Sequence, residues 1–129
     1  SSDLVAHIAL WTRHLEQQAR FWVEFFAGEI NEKYHSKTNP GFESYFVKIG
    51  SDLAIELMAK PGLQDSPRDN NHTGWAHLAI AVGGAEQVNA LAKRAEMAGI
   101  LVSAPRTTGD GYYEAVIKDP DGNLVEIVA

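Results

Sequence analysis

The stretch Trp75-Ala76-His77-Leu78-Ala79-Ile80-Ala81-Val82 decides how the rest of the chain is read. It is a short apolar run with one histidine inside it. Val5-Ala6-His7-Ile8-Ala9-Leu10 has nearly the same wording, and the two histidines stand 70 positions apart. A second pair of runs repeats at that interval. Ala54-Ile55-Glu56-Leu57-Met58 is matched by Leu124-Val125-Glu126-Ile127-Val128, each apolar with one carboxylate. At the same offset Ala9 falls on Ala79, Glu16 on Glu86, Gln17 on Gln87 and Lys48 on Lys118. Ala27-Gly28 and Ala98-Gly99 lie at an offset of 71, a one-residue slip that the loops must recover. Two copies of so long a unit do not make a solenoid; they point to a duplicated half-domain.

Bulk properties narrow the class. The 129 residues are one domain, or two small halves sharing a core, and a chain of this size buries about two-thirds of its unfolded surface. Hydrophobic residues make up 45% and charged residues 22%, as in ordinary globular proteins. A net charge of −6 without any Lys/Arg cluster argues against nucleic acid as a partner, since phosphate binding needs basic patches. Without cysteine, neither disulfides nor thiolate metal sites form. No apolar run approaches the roughly 20 residues of a membrane span, and no signal peptide is visible, so a cytoplasmic location is expected.

Read in order, Leu4 to Trp11 is expected to be a strand with both faces buried. Thr12 is placed to cap the following helix, on which Leu15, Ala19, Trp22, Val23 and Phe26 recur at helical spacing. Phe21 and Phe25 widen that stripe, and Gly28 is its expected stop. Glu29 to Lys37 reads as a weak polar edge strand, and Asn39-Pro40-Gly41 as a turn. Ser44–Ile49 and Leu53–Ala59 are strands joined by a tight turn at Gly50-Ser51-Asp52. Residues 61–73, rich in Asp, Asn, Pro and Ser, form a linker between a first module at 1–60 and a second at 74–129.

The second module repeats the order. Trp75–Val82 is a strand, and Ala85–Ala98 a helix with Val88, Leu91, Ala92 and Ala95 on one face and Gly99 at its end. Strands follow from Ile100, at Tyr112–Lys118 and at Leu124–Val128, the last two joined by Asp119-Pro120-Asp121-Gly122-Asn123. The predicted fold is α+β, two paired βαβββ modules related by a pseudo-twofold.

The chemistry follows from strand alternation. His7 shares a face with Val5, Ala9 and Trp11, and Glu56 shares one with Ala54 and Met58. Ile8, Leu10, Ile55 and Leu57 on the opposite faces suit packing under a helix. Each half thus offers one imidazole and one carboxylate from the side away from its helix. Under twofold pairing, His7, Glu56, His77 and Glu126 converge in a cleft. Two nitrogens and two oxygens suit a divalent metal such as Ni²⁺, Co²⁺, Zn²⁺, Fe²⁺ or Mn²⁺. A lone histidine in an apolar strand is usually a hydrogen-bonded core residue, and duplication copies packing residues as faithfully as ligands. Glutamate, however, is almost never buried unpaired, which favours the metal.

Other polar residues are weaker candidates. His14, His35 and His72 are expected to be solvated. Arg13, Lys60 and Arg106 are surface charges or anchors for an anionic substrate, and Trp11, Trp75, Met58 and Tyr113 line a pocket or pack in the core. Glu114 reads as a surface residue. The turn at 119–123 lacks the spacing of a calcium loop and reads as structural.

With these stretches, together with Phe21-Trp22 and the run Lys118-Asp119-Pro120-Asp121-Gly122-Asn123-Leu124-Val125-Glu126, the chain resembles the vicinal oxygen chelate superfamily and, within it, glyoxalase I. The resemblance implies the glyoxalase/bleomycin resistance/dioxygenase fold, with paired modules forming a metal-binding cleft. It implies one divalent ion per site, nickel or cobalt before zinc, iron or manganese, and a homodimer acting on a small molecule. It implies a lyase or isomerase converting a 2-oxoaldehyde–thiol hemithioacetal by proton abstraction and enediolate stabilisation. His7, Glu56 and His77 are then ligands, and Glu126 is both ligand and base. In glutathione-using members an arginine and often an asparagine stand where this chain has Trp11 and Lys60, so the family's grip on a glutathione carboxylate is missing here. Related alternatives are a dioxygenase, an epimerase, a fosfomycin thiol transferase, or a non-enzymatic drug-binding resistance protein of the same fold.

Overall fold

A computed structural model describes residues 2–67, 69 and 71–129. The chain divides into two compact units, Ser1–Ser66 and Pro67–Ala129. The division falls inside the stretch 61–73 read as a linker, of which Arg68 and Asn70 lie outside the described residues.

The first unit runs β1 (Ile8–Trp11), α1 (Leu15–Phe26), β2 (Glu29–Ile30), β3 (Tyr34–His35), β4 (Glu43–Ile49) and β5 (Leu53–Ala59). Its sheet has the order β1-β5-β4-β2, with β3 also on β4; β1 is parallel to β5 and the other pairs are antiparallel. The second unit runs β6 (His77–Ala81), α2 (Ala85–Met97), β7 (Leu101–Thr107), β8 (Tyr113–Lys118) and β9 (Leu124–Val128). Its order is β6-β9-β8-β7, again with the first strand parallel to the last. Both units are mixed sheets with one helix on one face, an α+β architecture.

Each core is the layer between helix and sheet. In the first unit Leu15, Ala19, Phe21 and Trp22 of α1 are buried, as are Val47, Ile55 and Leu57 of the sheet. In the second, Val88, Leu91, Ala92 and Ala95 are buried, as are Ile80, Ala115, Ile117, Val125 and Ile127. Burying each Val, Leu or Ile contributes about 1.5–3 kcal/mol. The expected face of α2 is the one observed. On α1, Phe21 is buried where Val23 is exposed, and a polar residue, Gln18, is fully buried. Its Oε1 accepts a hydrogen bond from Trp22 Nε1 at 3.1 Å, which lets both polar groups leave water together.

The one-residue slip has a physical location. The helices start 70 positions apart, but α2 has 13 residues and α1 has 12, and the offset of 70 returns at β4 and β8. The two helices also stop differently. Gly99, at φ +75°, closes α2 as expected: its N–H donates to the Glu96 carbonyl while that of Ile100 donates to Ala95. On α1 the left-handed residue is Ala27, at φ 52°. Gly28 serves a different need, since a Cβ there would lie 2.5 Å from Val47 Cγ1 and 3.0 Å from the Trp22 carbonyl oxygen.

Several boundaries correct the sequence reading. The first strand begins at Ile8, and Leu4 and Val5 are exposed rather than buried. As an edge strand β1 has one partner, and the apolar run begins ahead of its first paired residue, Ile8. Thr12 does not cap α1: the cap position is His14, and Thr12 Oγ1 accepts the His14 N–H at 2.8 Å, a turn ahead of the helix. The polar edge strand is broken into β2 and β3, where Asn31 Oδ1 accepts the Phe46 N–H at 2.8 Å in place of a backbone carbonyl. Among the described residues no helix is long and apolar enough to cross a membrane.

Candidate functional site

Alternation along β5 and β9 places the two glutamates. Ile55 and Leu57, and likewise Val125 and Ile127, are buried beneath the helices, so Glu56 and Glu126 emerge on the opposite, open face of each sheet. The neighbouring strands repeat one register, Ala9 opposite Glu56 and Ala79 opposite Glu126. In each unit the histidine stands two residues earlier on that neighbour, on the same face. His7 Nε2 lies 3.7 Å from Glu56 Oε1, and His77 Nε2 lies 3.1 Å from Glu126 Oε2. The duplicated sequence therefore becomes a duplicated geometry, an imidazole facing a carboxylate through the same ring nitrogen.

The glutamates are less buried than the burial argument expected. Their side chains keep 19% and 20% exposure and the histidines 45% and 40%, so all four remain open to a ligand. Among the described residues, neither unit on its own collects three or more His, Asp and Glu side chains able to hold a metal ion. His7 is steadied by Phe46, ring edge to face at 5.4 Å, and Phe46 itself stands opposite Glu56 on β4. A hollow of about 410 Å³ opens beside this pair, lined in part by Ala6, Phe46, Lys48, Asp52 and Ala54.

Glu114, read from sequence as a surface residue, belongs beside the second pair. Val116 stands opposite Glu126, and Glu114 lies one step further on the same face. Burial pushes its carboxyl above the usual range, and a hydrogen bond with Glu126 adds to the shift. The signal was available: alternation along Tyr112–Lys118 sets Glu114 and Val116 on one face. What hid it was the repeat, because its counterpart at the offset of 70 is Ser44.

The remaining candidates scatter. His35 Nδ1 lies 3.0 Å from Glu43 Oε2, and His72 Nδ1 lies 2.6 Å from Asp69 Oδ1. Both side chains are exposed but paired, rather than simply solvated. Arg13 pairs with Asp65 at 3.2 Å. Arg106 stands opposite Glu114, while Lys60 Nζ lies over the Trp11 ring at 4.2 Å from its centroid. Trp75 is fully exposed and packs in no core. Tyr113 donates its hydroxyl to Asn89 Oδ1 on α2, so it faces the helix and not the open side of the sheet. In the turn 119–123, Asp119 accepts hydrogen bonds from the Asp121 and Asn123 N–H groups and from Asn123 Nδ2 at 2.8–2.9 Å. Those carboxylate oxygens hold the turn itself, which is the structural role expected.

Known proteins share this fold. A Pseudomonas aeruginosa protein described as uncharacterized is 30% identical over 128 residues, covering 97% of this chain and 87% of that one. A glyoxylase/bleomycin resistance protein/dioxygenase domain from Frankia sp. EAN1pec superposes with a TM-score of 0.84 at 19% identity, covering 99% of this chain and 98% of that one. Glyoxalase I from Zea mays superposes with a TM-score of 0.80 at 22% identity over 97% of this chain, which spans only 44% of the maize chain. The family model for the Glyoxalase/Bleomycin resistance protein/Dioxygenase superfamily matches residues 4–127, and to that superfamily this chain belongs.

Proposed function

We propose that the protein is a metal-dependent lyase or isomerase of glyoxalase I type. Its substrate is a 2-oxoaldehyde–thiol hemithioacetal or a similar small molecule. One observation carries the reading: two His–Glu pairs in the same register, each on the sheet face away from the helix. Superfamily membership supports it.

His7 and Glu56, with His77 and Glu126, would hold one divalent ion, each kind of unit supplying one pair, in a protein acting as a homodimer. Two imidazole nitrogens and two carboxylate oxygens suit nickel or cobalt, and also zinc, iron or manganese. Such an ion supplies Lewis acidity toward the substrate oxygens. Glu126 takes the proton next to the carbonyl and returns it to the adjacent carbon. Glu114 stands next to Glu126 on the same sheet face, a second carboxyl group beside the proposed base.

The test is metal analysis of the purified protein, together with turnover of methylglyoxal adducts of several thiols by wild type and Glu126→Gln. The expected result is about one divalent ion per four-ligand set. Turnover should fall by at least about a hundredfold in the variant, the usual scale for a general base, with its circular dichroism unchanged. Full activity in Glu126→Gln removes the proposed base. Protein that takes up no metal on loading favours a drug-binding relative instead.

A further inference from the structure

The open face of the second sheet departs from the repeat one step from Glu126. Glu114 on β8 and Val128 on β9 stand opposite each other there, next on that face after Val116 and Glu126. On β7 the partner of Glu114 is Arg106, and a β-bulge puts it there. Ser103 pairs with Val116, so an unbroken ladder would set Pro105 opposite Glu114. One extra residue between Ser103 and Arg106 brings the arginine to that place instead, and bulges re-aim side chains in this way. At the offset of 70 the first unit has Ser44 and Ser36, so neither charge belongs to the repeat.

The β-carbons of directly opposed residues lie about 5 Å apart, yet these two side chains do not close on each other. Arg106 Nε donates to Ser103 Oγ at 3.5 Å, and among the described residues Arg106 forms no ion pair. Arg106 is exposed and Glu114 half-buried. Guanidinium donors and a carboxyl acceptor therefore stand side by side without consuming each other. Burial and then Glu126 raise the Glu114 carboxyl, Asp110 adds to the rise and Arg106 opposes it. A group entering between Glu114 and Arg106 thus meets one cation among several acids.

That setting discriminates between substituents. A hydroxyl both donates and accepts, so it serves the carboxyl and the guanidinium at once. An alkyl group strips water from both and returns no hydrogen bond. A carboxylate meets Arg106 but also faces Glu114, Glu126 and Asp110. The geometry points to Glu114 and Arg106 as specificity-determining residues that select an uncharged hydroxyl on the substrate carbon beside the reacting centre. The assignment rests on the reading that Glu126 is the base, one step away on the same face. A 2-oxoaldehyde carrying a hydroxymethyl group is then preferred to one carrying a methyl group or a carboxylate.

The test uses EDTA-treated protein and three thioesters of N-acetylcysteamine: lactoyl, glyceroyl and tartronyl. They differ only in the group beside the hydroxylated carbon, which is methyl, hydroxymethyl or carboxylate. In titration calorimetry glyceroyl should bind roughly tenfold tighter than either of the others, the scale of one hydrogen bond to a charged group. Glu114→Leu and Arg106→Leu, with circular dichroism unchanged, should each bring glyceroyl to the lactoyl level. Glu114→Gln keeps an acceptor and should keep the hydroxymethyl preference. Lactoyl binding as tightly as glyceroyl, no saturable binding of any of the three, or a preference that survives both leucine variants overturns the assignment. Neither metal nor turnover enters this measurement. An active Glu126→Gln enzyme would therefore overturn the proton-transfer reading and leave the hydroxyl preference standing, while loss of that preference would overturn the subsite alone.

Discussion

Gln18 offers the sharpest test of how the first core is held together. Among the described residues no buried side-chain nitrogen or oxygen lacks a hydrogen-bond partner, and the Trp22 indole N–H, on a residue only 1% exposed, depends on Gln18 Oε1 at 3.1 Å. Gln18→Met keeps nearly the same volume but removes that acceptor. A buried donor left unpaired costs about 1–3 kcal/mol; at about 2 kcal/mol, and roughly 4 °C per kcal/mol for a chain of this length, Tm should fall by about 8 °C. Gln18 is engaged elsewhere as well, so the single variant mixes several contacts. A double-mutant cycle with Trp22→Phe, read by urea and thermal unfolding, isolates the indole bond. Its coupling energy should be about 1–2 kcal/mol. A coupling below about 0.3 kcal/mol, the error of such cycles, refutes the bond as a determinant of the core.

Two further predictions concern charge and turn chemistry. The Lys33 hydrogen bond to Glu16, at 2.6 Å, holds the Glu16 carboxyl below its ordinary 4.5, and the same bond holds Lys33 above 10.5. Glu16's folded pKa is depressed, so its stabilisation is full above pH 4.5 and is lost as pH falls through the lowered value; Lys33's is full below pH 10.5 and is lost as pH rises through the raised one. The stability difference between wild type and Glu16→Gln should be flat across neutral pH and shrink at both extremes. It should stay under about 1 kcal/mol because the Glu16 side chain is 49% exposed, and a difference that grows below pH 4 contradicts the assignment. Asp119→Ala removes three turn hydrogen bonds and should cost about 2 kcal/mol in chemical unfolding, with calcium leaving wild-type stability unchanged. A neutral Asp119→Ala would show that the turn holds without its carboxylate.

Much of this arrangement was legible in the residues. The 70-residue repeat carried the two-unit order, because each half uses the same alternation and the same helical stripe. The buried face of α2 followed from Val88, Leu91, Ala92 and Ala95 alone. What escaped depended on neighbours. Gln18 is polar by type, and its burial goes with a hydrogen bond from Trp22 one turn away. Gly28 reads as a helix stop, yet its small size answers to Val47, distant in sequence. Leu4 and Val5 read as core residues by hydrophobicity and are exposed, because an edge strand has one partner and its apolar run starts ahead of the ladder.

The sequence by itself determined the periodicities: which residues share a strand face, where the helices lie, and that one histidine and one glutamate recur in each half. Periodicity is a property of the local chain, so it can be read without a fold. Only the tertiary structure decided the register that sets His7 beside Glu56 and His77 beside Glu126, the approach of Glu114 to Glu126, and the seat of Lys60 over Trp11. Each of these joins side chains on different strands or beyond a strand's end. Such distances are fixed by how strands slide into register and pack, which no local pattern encodes.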